Sequence, residues 1–175
     1  EVAERLQDVG IKAISIHGRT RAQMYKGDAD WKPISAVKNN SRMHIPVFGN
    51  GDVNSPERAV EMRDRYGLDG AMIGRASIGN PWFFNQVKHY FKTRAHLEKP
   101  SIQDRVALAK RHLEMSIGWK GDVLGVLETR RHYTNYFKGI KNFKSYRTAM
   151  VTANDAQEVF NTFDRVLEEV IDPAW

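Results

Sequence analysis

IPVFGNGDVNSPE, residues 45–57, passes from strand to helix within a few residues. The run that starts at Ile45 is short, β-branched and aromatic, and suits a buried strand. Gly49-Asn50-Gly51-Asp52 then breaks it. Ser55 can cap a following helix that has Pro56 in its first position. That helix extends to about Tyr66 and stops at Gly67.

The same alternation extends to both sides. Upstream, Val2, Leu6 and Val9 recur at helical spacing and Gly10 ends the pattern, while KAISI (Lys12 to Ile16) reads as a buried parallel strand. A long loop from His17 leads to a short helix near Pro33 to Lys38. Downstream, GAMIG starts a third strand at Gly70. Asn80 and Pro81 open a helix with Phe83, Val87, Tyr90 and Phe91 on one face. Helices alternating with strands in this order predict a parallel α/β fold. Three strands fit a doubly wound sheet or a barrel. A complete (β/α)8 barrel takes roughly 250 residues, so a barrel here would be represented by its last portion.

The pattern changes in TRAHLEKPS, Thr93 to Ser101, which reads as a linker. Beyond it come only helices. The first starts at Ser101 and Asp104 and carries Val106, Ala109, Leu113 and Ile117; others cover about Val123 to Phe137 and Phe143 to Met150. Asn154 and Gln157 resemble a capping pair for a fourth, whose Val159, Phe160, Phe163, Val166, Leu167, Val170 and Ile171 form a broad apolar stripe. The expected organisation is α/β over residues 1–95 and a four-helix bundle over residues 101–175.

A hydrophobic content of 41% with 10% aromatics supports a packed core and argues against wholesale disorder. No apolar run is long enough to span a bilayer, and a cytoplasmic protein is the simplest expectation. Absence of cysteine excludes disulfides, thiolate metal sites and a thiol nucleophile within the chain. The histidines show no spacing suited to a metal. The chain opens without methionine inside a helical pattern, and so reads as part of something longer. Net charge is +6 and segregated: Arg130, Arg131, Lys138, Lys141, Lys144 and Arg147 run without an acid between them. Asp155 to Asp172 is acidic apart from Arg165. Such segregation favours an anionic partner.

The strand ends carry the chemistry. The first finishes in His17-Gly18-Arg19, the second in Gly49-Asn50-Gly51-Asp52, the third in Gly74-Arg75. Ligands of parallel α/β folds sit at the carboxyl ends of the strands. Gly49, Gly51 and Gly74 allow close backbone approach to an anion, and Arg75 adds a charged fork. Asp52 is discordant beside a phosphate and more naturally orients a backbone or a polyol hydroxyl. Taken singly, GNGD is also a tight turn and His17 also a structural histidine. Three such ends in succession point to a phosphate-bearing ligand at one rim.

HGRTRAQMYKGDADW, IPVFGNGDV and DGAMIGRASIGNPWFF, in that order, resemble the tRNA-dihydrouridine synthases, and RRHYTNYFKG is similar to a basic-aromatic segment of their RNA-binding helical domain. The resemblance implies the last three β/α units of a TIM (β/α)8 barrel, FMN as cofactor, NADPH as reductant and tRNA as substrate. It implies FMN contacts for His17, Asn50, Gly51, Asp52, Gly74 and Arg75, with Asp52 accepting from a ribityl hydroxyl. In the family mechanism reduced flavin gives hydride to uracil C6, and a cysteine on an earlier loop protonates C5. With no cysteine here, no catalytic residue is assigned within the chain, and a carboxyl-terminal fragment, inactive alone, is expected.

An electropositive surface is needed to hold a folded tRNA. Arg19, Arg21 and Lys26 on the rim, with Arg130, Arg131, Lys138 and Lys141 in the tail, are the candidates. On a continuous helix Arg130, Arg131 and Lys138 share one face, leaving Tyr133, Tyr136 and Phe137 largely to the core. Trp31 and Trp82 read as packing residues, whereas Trp119 and Trp175 fit either role. Two rival readings are an FMN barrel oxidoreductase acting on a small molecule, and a non-catalytic RNA-binding module. No membrane partner is expected. The full-length enzyme is expected to be monomeric, and the isolated chain to self-associate through open sheet edges and to bind FMN poorly.

Overall fold

The structure is a computed structural model and describes residues 1–170, so Ile171 and Trp175 lie outside the described residues. The chain divides into two compact units. One contains Glu1–Ser77 and Pro81–Leu97; the other contains Ile78–Asn80 and the residues from Glu98 onward.

The first unit runs α1 (Val2–Asp8), β1 (Ile14–His17), α2 (Lys32–Lys38), β2 (Val47–Asn50), α3 (Pro56–Arg65), β3 (Gly70–Met72), a 3-10 turn (Arg75–Ser77) and α4 (Phe83–Thr93). The strands form one parallel sheet in the order β1-β2-β3. Pairing begins at Val47 because Pro46 has no N–H to give; its carbonyl instead receives the Ile14 amide at 3.0 Å. Thus β1 is displaced from the expected Lys12–Ile16 to Ile14–His17, and His17 becomes its last residue. Ser55 Oγ accepts the Arg58 amide at 3.1 Å, capping α3 with Pro56 in its first turn as the sequence suggests. The last helix of this unit starts at Phe83 rather than at Asn80-Pro81.

Strand alternation separates two faces of this sheet. Ile14, Ile16, Val47 and Ala71 join a core with Trp31, Ile34, Ala59, Met62, Leu68 and Phe83, supplied by the helices and their connections. The other face carries Ser15, His17, Phe48, Asn50 and Met72; Ser15, His17 and Met72 are exposed. A parallel sheet with its helices on one face is compatible with part of a barrel wall.

The second unit contains α5 (Ile102–Lys120), α6 (Asp122–Tyr136), α7 (Lys144–Thr152) and α8 (Ala156–Glu169). A reciprocal capping box fixes the start of α5: Ser101 Oγ accepts the Asp104 amide at 3.1 Å, and Asp104 accepts the Ser101 amide at 3.1 Å. Helix α5 packs on α6 and α8, and α7 on α6 and α8. Gly125 permits the close approach of α5 and α6, because a Cβ there would lie 2.7 Å from the Ile117 Cα. The buried centre includes Val106, Leu113, Tyr133, Phe137, Phe163 and Val166. Asp155, rather than Asn154, caps α8, accepting the amides of Gln157 and Glu158 at 2.5 and 3.3 Å.

Gly49 has no room for a side chain: a Cβ would overlap the Trp31 indole and sit 2.7 Å from Leu68 Cδ1. Gly49→Ala is expected to destabilise the first unit by about 1–3 kcal/mol, the usual penalty of overpacking, measured by urea unfolding followed through hydrogen exchange of the β1–β3 amides.

Candidate functional site

Strand pairing brings the three strand ends to one edge. His17 is opposite Asn50, and Asn50 is opposite Met72. The ends are tied together, since Gly18 N–H donates to Asn50 O at 2.8 Å and Asn50 Nδ2 donates to Met72 O at 2.8 Å. His17 Nδ1 accepts the Arg19 amide at 3.0 Å. The neutral ring therefore carries its proton on Nε2, which is left as the donor on the exposed sheet face.

Beyond β2, Gly51 has φ 127° and Asp52 has φ 53°, a left-handed conformation uncommon for a residue with a side chain. The Asp52 carboxylate gathers groups from three segments. Its Oδ2 accepts Arg19 Nη2 at 2.5 Å and the Ala29 amide at 2.8 Å, and its Oδ1 accepts Arg75 Nη2 at 3.2 Å. Burial alone would raise this carboxyl's pKa. The Arg19 and Ala29 hydrogen bonds, with the charges of Arg19 and Arg75, outweigh it and leave the group below the ordinary carboxylate value. Arg75 is 61% exposed and also lies over the Tyr25 ring, 4.7 Å from its centroid.

The loop after β1 is closed at its base. Asp30 N–H donates to Gly18 O at 2.7 Å, and Arg19 Nε and Nη2 both donate to Gly27 O, at 3.2 and 2.6 Å. Trp31 Nε1 donates to Gly51 O at 3.1 Å and anchors the returning chain. The tip, Thr20 to Lys26, stays exposed, with Arg21, Met24, Tyr25 and Lys26 on its surface. Arg19 is different: its side chain is 5% exposed and committed to Gly27 and Asp52. Buried in this way, it offers nothing to the surface of the rim.

The sequence matches the dihydrouridine synthase family over residues 1–172. The chain belongs to that family. It is 38% identical over 156 residues to tRNA-dihydrouridine synthase B of Pseudomonas putida, covering 89% of this chain and 46% of that protein. It is 36% identical over 154 residues to a probable tRNA-dihydrouridine synthase of Rickettsia conorii, covering 88% of this chain and 46% of the relative. With probable tRNA-dihydrouridine synthase 1 of Synechocystis sp. the identity is 35% over 167 residues, or 95% of this chain and 46% of the relative. The chain thus spans about half the length of the curated relatives it matches.

In the helical unit, the expected basic face separates into different roles. Helix α6 ends at Tyr136, so Lys138 lies beyond it and does not share a helical face with Arg130 and Arg131. Arg130 turns inward, and its Nη2 donates to Ala153 O and Asn154 Oδ1, joining α6 to the α7–α8 turn. Arg131, Lys138 and Lys141 are exposed, while Tyr133, Tyr136 and Phe137 are buried. Trp119 is 82% exposed.

A group that sequence spacing did not reveal is the pair His112 and His132, on α5 and α6, with ring centroids 4.8 Å apart. Tyr136 OH lies 3.0 Å from His112 Nδ1, and His132 and Tyr136 are one helical turn apart. The only sequence signal was that i, i+4 pair. Burial, then the positive charge of Arg131, lowers the pKa of His112; burial, His112 and Arg131 lower that of His132.

Two outcomes follow. Arg130→Gln is expected to lower the stability of the helical unit by about 1–3 kcal/mol, as when buried carbonyls lose their donor, while leaving any salt-dependent binding of a polyanion such as heparin unchanged. Calorimetry and a salt titration separate the two effects. Both histidines have folded pKa values below the ordinary 6.5 that they regain on unfolding. Stability is therefore full above that value and declines as pH falls through the lower folded values. His112→Gln with His132→Gln should flatten this decline in denaturant midpoints measured between about pH 7 and pH 5.

Proposed function

We propose that this chain is the carboxyl-terminal part of an FMN-dependent tRNA-dihydrouridine synthase, which reduces uridine in tRNA to 5,6-dihydrouridine with NADPH as reductant, in the cytoplasm. The observation that carries the reading is the convergence of His17, Asn50 and Arg75 at one edge of a parallel sheet, beside an exposed cationic loop tip. The relatives' names supply the substrate.

The residues at the rim fit FMN. A phosphate needs open backbone and a cation. Gly74 is exposed, nothing lies within 4 Å of the position its Cβ would take, and the adjacent Arg75 is exposed. Gly51 belongs to the same rim, though a Cβ there would meet Ala29 at 2.5 Å, so its missing side chain serves the loop packing as well. Asn50 has its amide nitrogen engaged by Met72 O, which leaves its carbonyl oxygen as the acceptor for a ligand N–H. His17 offers Nε2–H to a carbonyl of flavin or uracil. When bound, FMN supplies hydride chemistry that no side chain can provide. The proton for uracil C5 has no thiol source among the 175 residues, and comes from another part of the protein.

Arg21 and Lys26 on the loop, with Arg131, Lys138 and Lys141 on the helical unit, are the proposed contacts for the tRNA backbone. Arg19 and Arg130 brace these regions from within.

The test uses the protein that carries this chain at the full length of its relatives. It should purify yellow and convert uridine in tRNA taken from a strain lacking dihydrouridine. A colourless protein that leaves such tRNA unchanged would overturn the reading. Charge reversal at Arg131, Lys138 and Lys141 should abolish activity on tRNA; full activity on a small molecule would favour the rival oxidoreductase. The 175-residue chain alone should show only weak flavin binding in a fluorescence titration.

A further inference from the structure

We propose that Asp52 is a positioning residue that clamps the His17–Asp30 loop and Arg75 into a single rigid rim, rather than a direct ligand of the cofactor. The proposal deepens the reading above and rests on it for the identity of the anions.

A carboxylate offers about four acceptor directions. Oδ2 uses two, on Arg19 Nη2 and the Ala29 amide, and Oδ1 uses one, on Arg75 Nη2. At most one remains for any hydroxyl of a ligand. The three donors come from the start of the loop, its end, and the turn after β3, so one carboxylate ties all three segments together. The backbone supports this arrangement at a cost: Asp52 sits at φ 53°, where glycine is the relaxed choice. Such an outlier persists when the surrounding contacts over-determine it.

Arg19 makes the clamp obligatory. Its guanidinium is buried, and among the described residues its Nη1 has no hydrogen-bond partner and Asp52 is the carboxylate that answers its charge. Neutralising Asp52 leaves an uncompensated cation in a buried position, and the cheapest relief is for Arg19 to swing out and release Gly27. The tip that carries Arg21, Tyr25 and Lys26 then loses one of its two footings. Arg75 is shared in the same manner, between Asp52 and the Tyr25 ring. One carboxylate thereby sets both the cation beside the proposed phosphate and the aromatic at the loop tip.

The sign of the effect separates this from ordinary electrostatics. Removing a negative charge beside an anion site should strengthen anion binding; removing a clamp should weaken it. Asp52→Asn is compared with the unchanged 175-residue chain by tryptic cleavage after Arg21 and Lys26, read by mass spectrometry, and by a salt titration of tRNA binding. Expected are cleavage at least about fivefold faster at those two sites and weaker tRNA binding. The salt slope should fall by about one to two units, the equivalent of one to two phosphate contacts. Loss of folding alone would accelerate cleavage everywhere, so sites on α5–α8 serve as internal controls.

Arg19→Lys keeps the charge but cannot fork to Gly27 and Asp52, and should reproduce the local cleavage even if Asp52→Asn fails to fold. Unchanged cleavage with tighter tRNA binding would overturn the clamp, as would unchanged cleavage with weaker FMN binding when Asp52→Asn is made in the protein at the full length of its relatives, the signature of a direct ribityl contact. Faster local cleavage in a chain that does not bind tRNA at all would uphold the clamp and remove the RNA reading.

Discussion

The rim depends on the fit of the Trp31 indole against Gly49. Trp31 is 1% exposed and occupies the space that any side chain at position 49 would need. Its Nε1–H donates to Gly51 O, and its ring stacks on Tyr66 with centroids 6.2 Å apart. A buried indole contributes both a large apolar surface and one directed hydrogen bond. Here the apolar part holds α2 against β2, while the hydrogen bond fixes the carbonyl at the turn beyond the strand. The residue that packs the core therefore also orients the backbone from which Asp52 extends.

With Trp31 fixed, the loop between His17 and Trp31 has two immobile ends, and closure becomes a local problem. Gly18 and Asp30 join by a backbone hydrogen bond, and Ala29 packs where a Cβ on Gly51 would otherwise stand. What remains free is the tip. The cations of this loop are therefore unlike one another for reasons of burial: Arg19 is neutralised inside, and Arg21 and Lys26 project into water. Charge density along a sequence does not distinguish them. The field that this loop presents to solvent arises from the projecting pair and not from the total.

Local signals in the sequence located most of the architecture. Ser55 with Pro56, and Ser101 with Asp104, placed helix starts because a cap acts over three residues. Strand ends at His17, Asn50 and Met72 were legible to within a residue or two, and β1 slipped because Pro46 decides where pairing starts. The site was legible as a set of residue types at strand ends. Its internal wiring was not. Asp52 meets Arg19 across 33 positions, and Arg130 meets Asn154 across 24, and no periodicity encodes such partners. Lys138 was misplaced for another reason: a helix that stops at Tyr136 cannot carry a face extrapolated past its end.

These long-range partners share a chemistry. Arg19 reaches Gly27 O and Asp52, Arg105 reaches Pro100 O and Lys138 O, and Arg130 reaches Ala153 O and Asn154 Oδ1. In each case a planar fork with several fixed donors joins two chain segments by their carbonyl or carboxylate oxygens. Lysine also has several donors, but they swivel on one ammonium at the end of a flexible stem, so holding two oxygens costs it more ordering than the pre-set guanidinium plane. The exposed lysines at positions 26, 138 and 141 carry no such burden. A basic sequence can thus hold two populations of cations, one that shapes the surface from beneath and one that gives it charge. In this chain the bracing is done by buried arginine forks, and the field is supplied by lysines together with Arg21 and Arg131.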